Sequence, residues 1–504
     1  MKKTVLLYII YGGLIFGGLF FFFTVLNPLV VYDADDWTYI GIIRKPIPII
    51  GGWNPTRVFP EVFMPLVSYF GVYIIMPLIH NYCFSLTIAH ALFSSALIAL
   101  YFVVFSLLLY KKKRVSAPLS ILYGILFVVL HFIMYIHKGN NNLLLLWSIN
   151  LTCFYFYILS AVINAILVMV FMIYGGVNAF FHNTGIIEKI LAVICIYFAI
   201  NSNLFSSVIL AAYVGTELII ELFLVIRNGN FHIKEYAGKN IFSLIYLVCW
   251  IASNLLETTG GRAGDIGKGV LANLIKTILL ELSSVFIINI FITIFAVVVG
   301  IVWLRKHQQN SSAVIKLLLY IALTVSYLIL LSASSEPTYI IRPEVNISVA
   351  FYLLLGLILA FKELVLINKQ NFRLVLILAG SVLLLFIDPG KVFLSNNYSN
   401  ISYEQCENLA DDIINQFKSA EENGLTEMTL IVPSYEDEGN WPLSDFAGER
   451  IANTLYNHGI TKSFISVNNY IASEEKNEYF GINGYGDNER LMEAFTQFPF
   501  LFNR

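Results

Sequence analysis

Long apolar stretches with few charges recur along most of this chain, and they constrain its fold more than any other feature. Of the 504 residues, 58% are hydrophobic and 13% are charged, with a mean hydropathy of +0.74. A soluble domain is about 25% charged, so lipid is the solvent for most of this chain. A membrane-spanning helix needs about 20 consecutive apolar residues. We therefore predict an α-helical polytopic membrane protein with about eleven transmembrane helices. The predicted spans lie near residues 4–31, 82–110, 115–137, 154–175, 188–201, 203–226, 240–256, 281–304, 314–332, 346–361 and 371–387.

The balance of charge changes sign at Asp388-Pro389-Gly390. Residues 1–388 carry 24 Lys/Arg and 15 Asp/Glu, whereas residues 389–504 carry 7 Lys/Arg and 18 Asp/Glu. This change predicts a transmembrane domain over 1–388 and a small acidic α/β domain over 389–504, which is long enough to form its own core. Apolar spacing in the second domain predicts helices near 403–422 and 444–458 and strands near 428–433 and 463–468.

Basic residues in the connecting segments indicate how the chain lies in the membrane. With a cytoplasmic N-terminus, the inner segments hold 16 Lys/Arg and the outer segments of the membrane part hold 8. This bias predicts a multi-pass cell-membrane protein whose N-terminus is cytoplasmic. An odd number of spans then places the C-terminal domain outside the cytoplasm. The bilayer is the expected environment, and nothing in the sequence indicates a nucleic-acid partner.

The predicted first outer loop, residues 32–81, contains the strongest chemical signal. It begins with Tyr32-Asp33-Ala34-Asp35-Asp36-Trp37, so three carboxylates follow the first span directly. Ionised groups at this depth are costly unless they are solvated or paired. A solvated helix cap is one interpretation of the cluster. The other rests on further acidic, aromatic and cationic residues in the same loop, which are Trp53, Arg57 and Glu61. The apolar, proline-rich stretch 61–79 predicts one or two short helices in the outer interface.

Sugar transfer requires this combination of side chains. A carboxylate removes the proton of an acceptor hydroxyl as general base, and a cation stabilises the departing phosphate. Aromatic side chains such as Trp37 and Trp53 can contact a sugar ring or the lipid. Two adjacent carboxylates such as Asp35 and Asp36 can instead hold a divalent cation, Mg²⁺ or Mn²⁺. The sequence leaves the base role and the metal role open and indicates no certain cofactor.

The overall pattern resembles the GT-C superfamily of glycosyltransferases, with an acidic motif after the first span and a soluble outer C-terminal region. Asp35-Asp36-Trp37, followed by Trp53 and Arg57, is similar to the first loop of phage-type O-antigen glucosyltransferases and related bacterial cell-envelope glycosyltransferases. This resemblance implies a polyprenyl-phosphate sugar donor, glucose or another hexose as the sugar, and a cell-envelope glycan as the acceptor. It also implies that Asp35 or Asp36 is the base or substrate-orienting carboxylate, that Asp33 supports them, and that Arg57 faces the donor.

Two further predicted outer loops carry weaker candidates. Arg342 could bind the donor phosphate, with Glu344 and Glu61 as further substrate contacts. A local salt bridge from Arg342 to Glu336 or Glu344 is the alternative. Arg262 lies in the glycine-rich loop 257–280 and could also bind the donor phosphate. A solvated loop without a functional role is the alternative.

A transporter or flippase of lipid-linked sugars is the alternative function. Acidic residues inside a span are functional candidates by default, and Glu217 and Glu221 lie one helical turn apart in the predicted sixth span. Such transporters usually contain repeats, and the sequence shows none. A non-catalytic envelope scaffold is a third possibility, which would not require the acidic cluster or Arg57.

Overall fold

The computed structural model describes most of the membrane part and a portion of the C-terminal region. The described residues are 2–31, 34–46, 54–112, 115–135, 144–148, 150–229, 232–259, 269–284, 288–306, 311–365, 393–394, 400–401, 403–433 and 447–481.

Helices form nearly all of the described membrane part. In chain order they are α1 (Lys2–Phe21), α2 (Ala34–Gly41), α3 (Val58–Phe70), α4 (Met76–Ile79), α5 (Tyr82–Lys112), α6 (Ala117–Phe132), α7 (Leu151–Cys153), α8 (Ser160–Tyr174), α9 (Val177–Asn183), α10 (Ile186–Ile200), α11 (Leu204–Arg227), α12 (Ile233–Lys239), α13 (Ile241–Glu257), α14 (Val270–Ser284), α15 (Ile290–Lys306), α16 (Ser311–Ser334) and α17 (Pro343–Val365). Short π-helical segments continue some of them, at Phe22–Leu26, Gly71–Ile75 and Phe154–Leu159, and 3₁₀ turns lie at Pro55–Arg57 and Pro337–Ile341.

Seven helical segments in the described residues are long and apolar enough to cross a membrane. They are Lys3–Leu26, Pro55–Ile79, Tyr82–Lys112, Leu151–Tyr174, Leu204–Arg227, Ala313–Ser334 and Pro343–Lys362. An eighth results if α12 and α13, which are bent by 82° at their junction, act as one span. These helices confirm the prediction of a helical membrane protein, but the predicted number of eleven spans is not confirmed.

The difference arises because apolar composition alone does not fix the length of a helix. The predicted spans 115–137 and 188–201 correspond to α6 and α10, which have only 16 and 15 residues. A 15-residue helix is about 22 Å long, which is short of the roughly 30 Å hydrocarbon core. The predicted span 281–304 is divided between α14 and α15. The predicted span 371–387 lies outside the described residues.

The helix in the first outer loop is longer than predicted. Pro55–Ile79 is one helical segment of 25 residues that passes the length and composition test for a span. It packs antiparallel to α5, since Phe63 stacks on Phe93 with ring centroids 5.7 Å apart. One turn further on, the Ser68 hydroxyl lies 3.1 Å from Nε2 of His90. This helix therefore covers the first half of α5, next to the candidate site described below.

The described C-terminal residues form a small α/β unit. Its elements are β1 (Phe393–Leu394), β2 (Asn400–Ile401), α18 (Tyr403–Glu422), β3 (Glu427–Pro433), α19 (Ala447–Asn457), β4 (Ser466–Ser473) and α20 (Glu474–Phe480). Strands β3 and β4 are parallel and pair from Glu427↔Ser466 to Pro433↔Ser473, with a shift in register between Met428 and Thr429. Helix α19 connects them. The prediction for α18 and β3 agrees with these bounds to within one residue, whereas β4 begins three residues later than predicted.

The C-terminal unit shares a hydrophobic core with the membrane part. One cluster of buried side chains extends from Phe23 and Trp37 to Leu409 and Leu455. Because this core is shared, burial of apolar surface against the first loop contributes to holding the C-terminal unit in place. The predicted domain boundary at 388–390 lies outside the described residues.

Candidate functional site

Asp36 is fully buried and binds the start of a distant helix. The backbone N–H of Thr152 donates to Asp36 Oδ1 at 2.7 Å, and the Thr152 hydroxyl donates to the same oxygen at 2.5 Å. The N–H of Leu151 donates to Oδ2 at 3.3 Å. The first N–H groups of a helix have no partner within it, and its N-terminus carries a partial positive charge. The Asp36 carboxylate thus ties α2 to the start of the Leu151–Tyr174 segment.

Asp35 lies in a different environment from its neighbour. Its side chain is 43% exposed, and Oδ1 lies 2.6 Å from Nη1 of Arg450 in α19. Successive residues of a helix point about 100° apart, so α2 buries one carboxylate and presents the other at the surface. Of the two, Asp35 is the carboxylate that is accessible from the surface.

Helix α19 of the C-terminal unit lies directly on α2. The Thr454 hydroxyl donates to the carbonyl of Trp37, and the Asn457 side-chain amide donates to the carbonyl of Gly41 at 3.1 Å. A Cβ atom on Gly41 would lie 2.7 Å from the Cβ of Thr454, so only glycine allows this close approach. These contacts fix the position of Arg450 one helical turn before Thr454.

His458 completes the contact between α19 and the membrane part. Its Nε2 lies 3.0 Å from the carbonyl oxygen of Ile40, and its Nδ1 lies 2.7 Å from the hydroxyl of Tyr82. A carbonyl can only accept, so Nε2 carries the proton and Nδ1 accepts from Tyr82. Burial lowers the pKa of His458 to about 4. The histidine is therefore neutral at physiological pH.

Trp37 is buried among aromatic side chains. Its side chain is fully buried, and its ring is nearly parallel to that of Tyr82, with centroids 6.4 Å apart. The structure thus places this predicted sugar or lipid contact inside the core below Asp35. The other predicted contacts or site residues in these loops, Asp33, Trp53 and Arg262, lie outside the described residues.

Arg57 and Glu61 belong to a second charged group at the start of the Pro55–Ile79 helix. The Glu61 carboxylate forms an ion pair of 2.7 Å with Arg44, and it also interacts electrostatically with Arg57. Glu257, at the end of α13, accepts a hydrogen bond of 3.3 Å from the N–H of Thr56. Sequence reasoning missed Glu257, although an acidic residue at the end of an apolar helix is a recognisable signal.

Arg342 and Glu344 form a third charged group. The Arg342 guanidinium lies 4.4 Å from the ring centroid of Tyr339, and its Nη1 is 4.0 Å from Glu344 Oε1. Both residues interact electrostatically with Tyr157. Tyr157 lies in the Leu151–Tyr174 segment, whose first turn Asp36 binds. The first and third predicted outer loops therefore meet this helix near its start.

The surroundings of Asp35 and Asp36 bear on the predicted metal role of these two carboxylates. No three His, Cys, Asp or Glu side chains come together to hold a metal ion in the part of the chain that the structure describes. The Asp36 oxygens accept hydrogen bonds from the helix start, and Asp35 contacts Arg450. The divalent cation, with Asp35 and Asp36 as its candidate ligands, stays a prediction.

Glu217 and Glu221, the residues that favoured a transporter, both have basic partners. Lys316 Nζ lies 2.9 Å and 2.8 Å from the two Glu217 carboxylate oxygens, and the Tyr320 hydroxyl donates to Glu217 at 2.6 Å. Glu221 lies 2.5 Å from Lys239. Pairing offsets the cost of placing a carboxylate among apolar helices.

Sequence reasoning also missed Arg450, His458 and Thr152, which are far from the acidic cluster along the chain. Their contacts depend on chain packing, and no local motif marks them. No known family model matches this chain, and comparisons with curated proteins and with solved structures also found no match.

Proposed function

We propose that this protein is a membrane glycosyltransferase. It would move a hexose from a polyprenyl-phosphate donor to a cell-envelope polysaccharide or lipid-linked glycan at the outer face of the membrane. The observation that carries the proposal is the arrangement of two adjacent carboxylates on α2. Asp36 is buried and anchored to a helix start, and this anchor leaves Asp35 half exposed beside an arginine. Such a carboxylate is suited to positioned proton transfer.

The proposed reaction exchanges one bond at the anomeric carbon for another. The acceptor hydroxyl oxygen forms a bond to this carbon as its bond to the donor phosphate oxygen breaks. Asp35 takes the hydroxyl proton, and the polyprenyl phosphate leaves with the electron pair of the broken bond. Asp36 orients Asp35 through their shared helix, and Arg342 is a candidate to stabilise the departing phosphate.

The contact between α19 and α2 supports an outer location for the site. Because these helices touch, the C-terminal unit and the first loop lie on the same side of the membrane. The excess of basic residues in the predicted inner segments favours a cytoplasmic N-terminus. Helix α1 would then carry the chain to the outer side, where both α2 and the C-terminal unit would lie.

The test is sugar transfer from a radiolabelled polyprenyl-phosphate sugar in membranes that contain wild-type protein or the variant Asp35→Asn, at matched expression. Removal of a general base lowers the rate by about 10²–10⁴-fold, so we expect a loss in that range. Glu422→Gln is the matched control, because it removes an exposed carboxylate at the end of α18. The control variant should transfer as well as the wild type.

Equal transfer by Asp35→Asn and by the wild type would exclude Asp35 from the chemistry and leave the cluster as a solvated helix cap. If the wild type transfers no sugar from any donor, the glycosyltransferase proposal fails. The flippase alternative would then lead, with Glu217 and Lys316 as the next residues to change.

A further inference from the structure

We propose that the C-terminal unit supplies a phosphate-binding residue to the candidate site. Arg450 would bind the phosphate group of the lipid-linked donor while it holds the Asp35 carboxylate. This inference rests on the proposed function and deepens it, because it assigns the donor phosphate to a residue in the last part of the chain.

Docking of α19 on α2 has sources other than the Arg450–Asp35 ion pair. Thr454, Asn457 and His458 bond to backbone carbonyls of α2. The core beneath them is continuous from Trp37 to Leu455. An ion pair between partly exposed side chains contributes little to stability. The Arg450 and Asp35 side chains are 32% and 43% exposed, so this ion pair itself contributes little to the docking of α19.

The chemistry of the guanidinium group suits a phosphate. It is planar, stays charged at all relevant pH values and presents five N–H donors as a fork, so it can contact a carboxylate and a phosphate oxygen together. Arginine–phosphate contacts of this kind are charge-assisted and directional. A phosphate on Arg450 would lie next to Asp35, because one guanidinium group would contact both.

The other described arginines near the site have different surroundings. Arg44 is largely buried in its ion pair with Glu61, and Arg57 interacts with the same carboxylate. Arg342 packs on Tyr339 beside Glu344. Arg450 is the arginine that directly contacts the exposed carboxylate to which we assign the proton transfer.

The experiment measures binding of undecaprenyl phosphate to the purified full-length protein in nanodiscs, for wild type, Arg450→Ala and Arg450→Lys. Lys462→Ala is the matched control, because it removes an exposed cation from the same unit. We expect Arg450→Ala to weaken binding at least tenfold, Arg450→Lys to weaken it less, and Lys462→Ala to leave it unchanged. In the transfer assay, Arg450→Ala should raise KM for the donor more than it lowers kcat.

A second measurement separates phosphate binding from docking. Cys83 is buried at the start of α5, where it interacts electrostatically with Glu407 and Asp411 of the C-terminal unit. If the unit moves away, Cys83 becomes accessible to maleimide, and mass spectrometry locates the modification. We expect Cys83 to stay protected in Arg450→Ala. Rapid modification of Cys83 would make Arg450 a docking residue and overturn the proposal.

Three other results bear on the proposal. Undecaprenyl phosphate binding by Arg450→Ala at wild-type strength would overturn it. Equal competition by phosphatidic acid would assign Arg450 to bilayer headgroups and overturn the donor assignment. Arg450-dependent binding without sugar transfer by the wild type would support the phosphate site and reject the glycosyltransferase function, so the two failures are distinguishable.

Discussion

The charged residues on α2 and those around Glu217 differ in where their partners lie along the chain and in how the two acids of each group are placed. Asp35 and Asp36 are joined to Arg450 and Thr152, which are 415 and 116 positions further along the chain. Glu217 and Glu221 pair with lysines on neighbouring helices, and Glu217 has both carboxylate oxygens bound to one lysine. Only the α2 group combines an anchored acid with an adjacent, half-exposed acid.

This difference suggests distinct roles for the two groups. An ion pair with a lysine offsets the desolvation cost of a carboxylate that lies among helices. This pairing is a sufficient structural explanation for Glu217 and Glu221. The position of Asp35 is fixed by the buried Asp36, by the close contact at Gly41 and by the docked helix α19. These contacts constrain Asp35 more than a weak surface ion pair would require.

Asp36→Ala should strongly destabilise the protein. The substitution leaves the N–H groups of Leu151 and Thr152 buried without an acceptor, and each such loss costs about 1–3 kcal/mol. We expect a total loss of about 3 kcal/mol or more, seen as a lower melting temperature by fluorescence-detected size-exclusion chromatography.

Asp35→Asn is the control for this prediction. The Asp35 side chain is partly exposed, so this variant should change the melting temperature only slightly. It should still lower transfer by about 10²–10⁴-fold. The contrast between the adjacent carboxylates fails if Asp35→Asn is the more destabilised variant of the two.

Gly41→Ala should loosen the docking of α19. The added Cβ would lie 2.8 Å from the Thr454 Cα as well as close to its side chain, so the backbone of α19 must shift. Overpacking of this kind costs about 1–3 kcal/mol. We expect faster maleimide modification of Cys83 and weaker transfer. Gly17→Ala in α1 is the matched control, because nothing lies within 4 Å of the added atom.

If Cys83 is as protected in Gly41→Ala as in Gly17→Ala, helix α19 is still docked. The contact at Gly41 then does not limit docking. The remaining hydrogen bonds between α19 and α2 would then fix the position of Arg450.

Acid should weaken the same contact through His458. Its pKa is lowered from 6.5 to about 4 in the folded protein, so the folded state disfavours the charged form. The stabilisation is complete above pH 6.5 and is lost as the pH falls towards 4, by about 2 kcal/mol at pH 5. Tyr82 and Tyr69 contact the ring, and His90 interacts with it electrostatically. The measurement is Cys83 protection from pH 7 to pH 5.

His458→Gln isolates this effect, because glutamine keeps hydrogen-bonding capacity and does not titrate in this range. Its Cys83 protection should vary less with pH than that of the wild type. An identical pH dependence in both proteins would assign the transition to other groups, of which Glu407 and Asp411 are the nearest carboxylates to Cys83.

The sequence predicted elements whose signals are local. The amphipathic spacing of Leu409, Ile413 and Phe417 gave α18 its correct bounds, and all three side chains are buried. The predicted number of spans is not confirmed, because an apolar stretch such as 188–201 is compatible with both a short packed helix and a span. Tertiary packing, which the sequence pattern does not report, decides between them.

The candidate site was predictable only in part. Helical geometry implies that Asp35 and Asp36 point in different directions. Only the hydrogen bonds from the Leu151 and Thr152 N–H groups show that Asp36 is the buried one. Arg450 lies in a segment with no motif, and its contact with Asp35 depends on how the C-terminal unit folds over α2. Trp37 carried an aromatic signal for a sugar contact, yet the packing of Tyr82 and α19 places it in the core.

The smallest effect on transfer should come from the Glu217 group. Replacing both partners, in Glu217→Gln/Lys316→Met, removes an ion pair without leaving an isolated charge among the helices. Such replacements are often close to neutral. We expect transfer within about twofold of the wild type, because the group has no contact with α2 among the described residues. The single variant Lys316→Met should be less stable than the double variant, since it leaves Glu217 without its cation. A loss of transfer in the double variant, at unchanged stability, would mean that Glu217 takes part in function. Glu217, whose two carboxylate oxygens both contact Lys316, would then matter for transfer as much as the half-exposed Asp35.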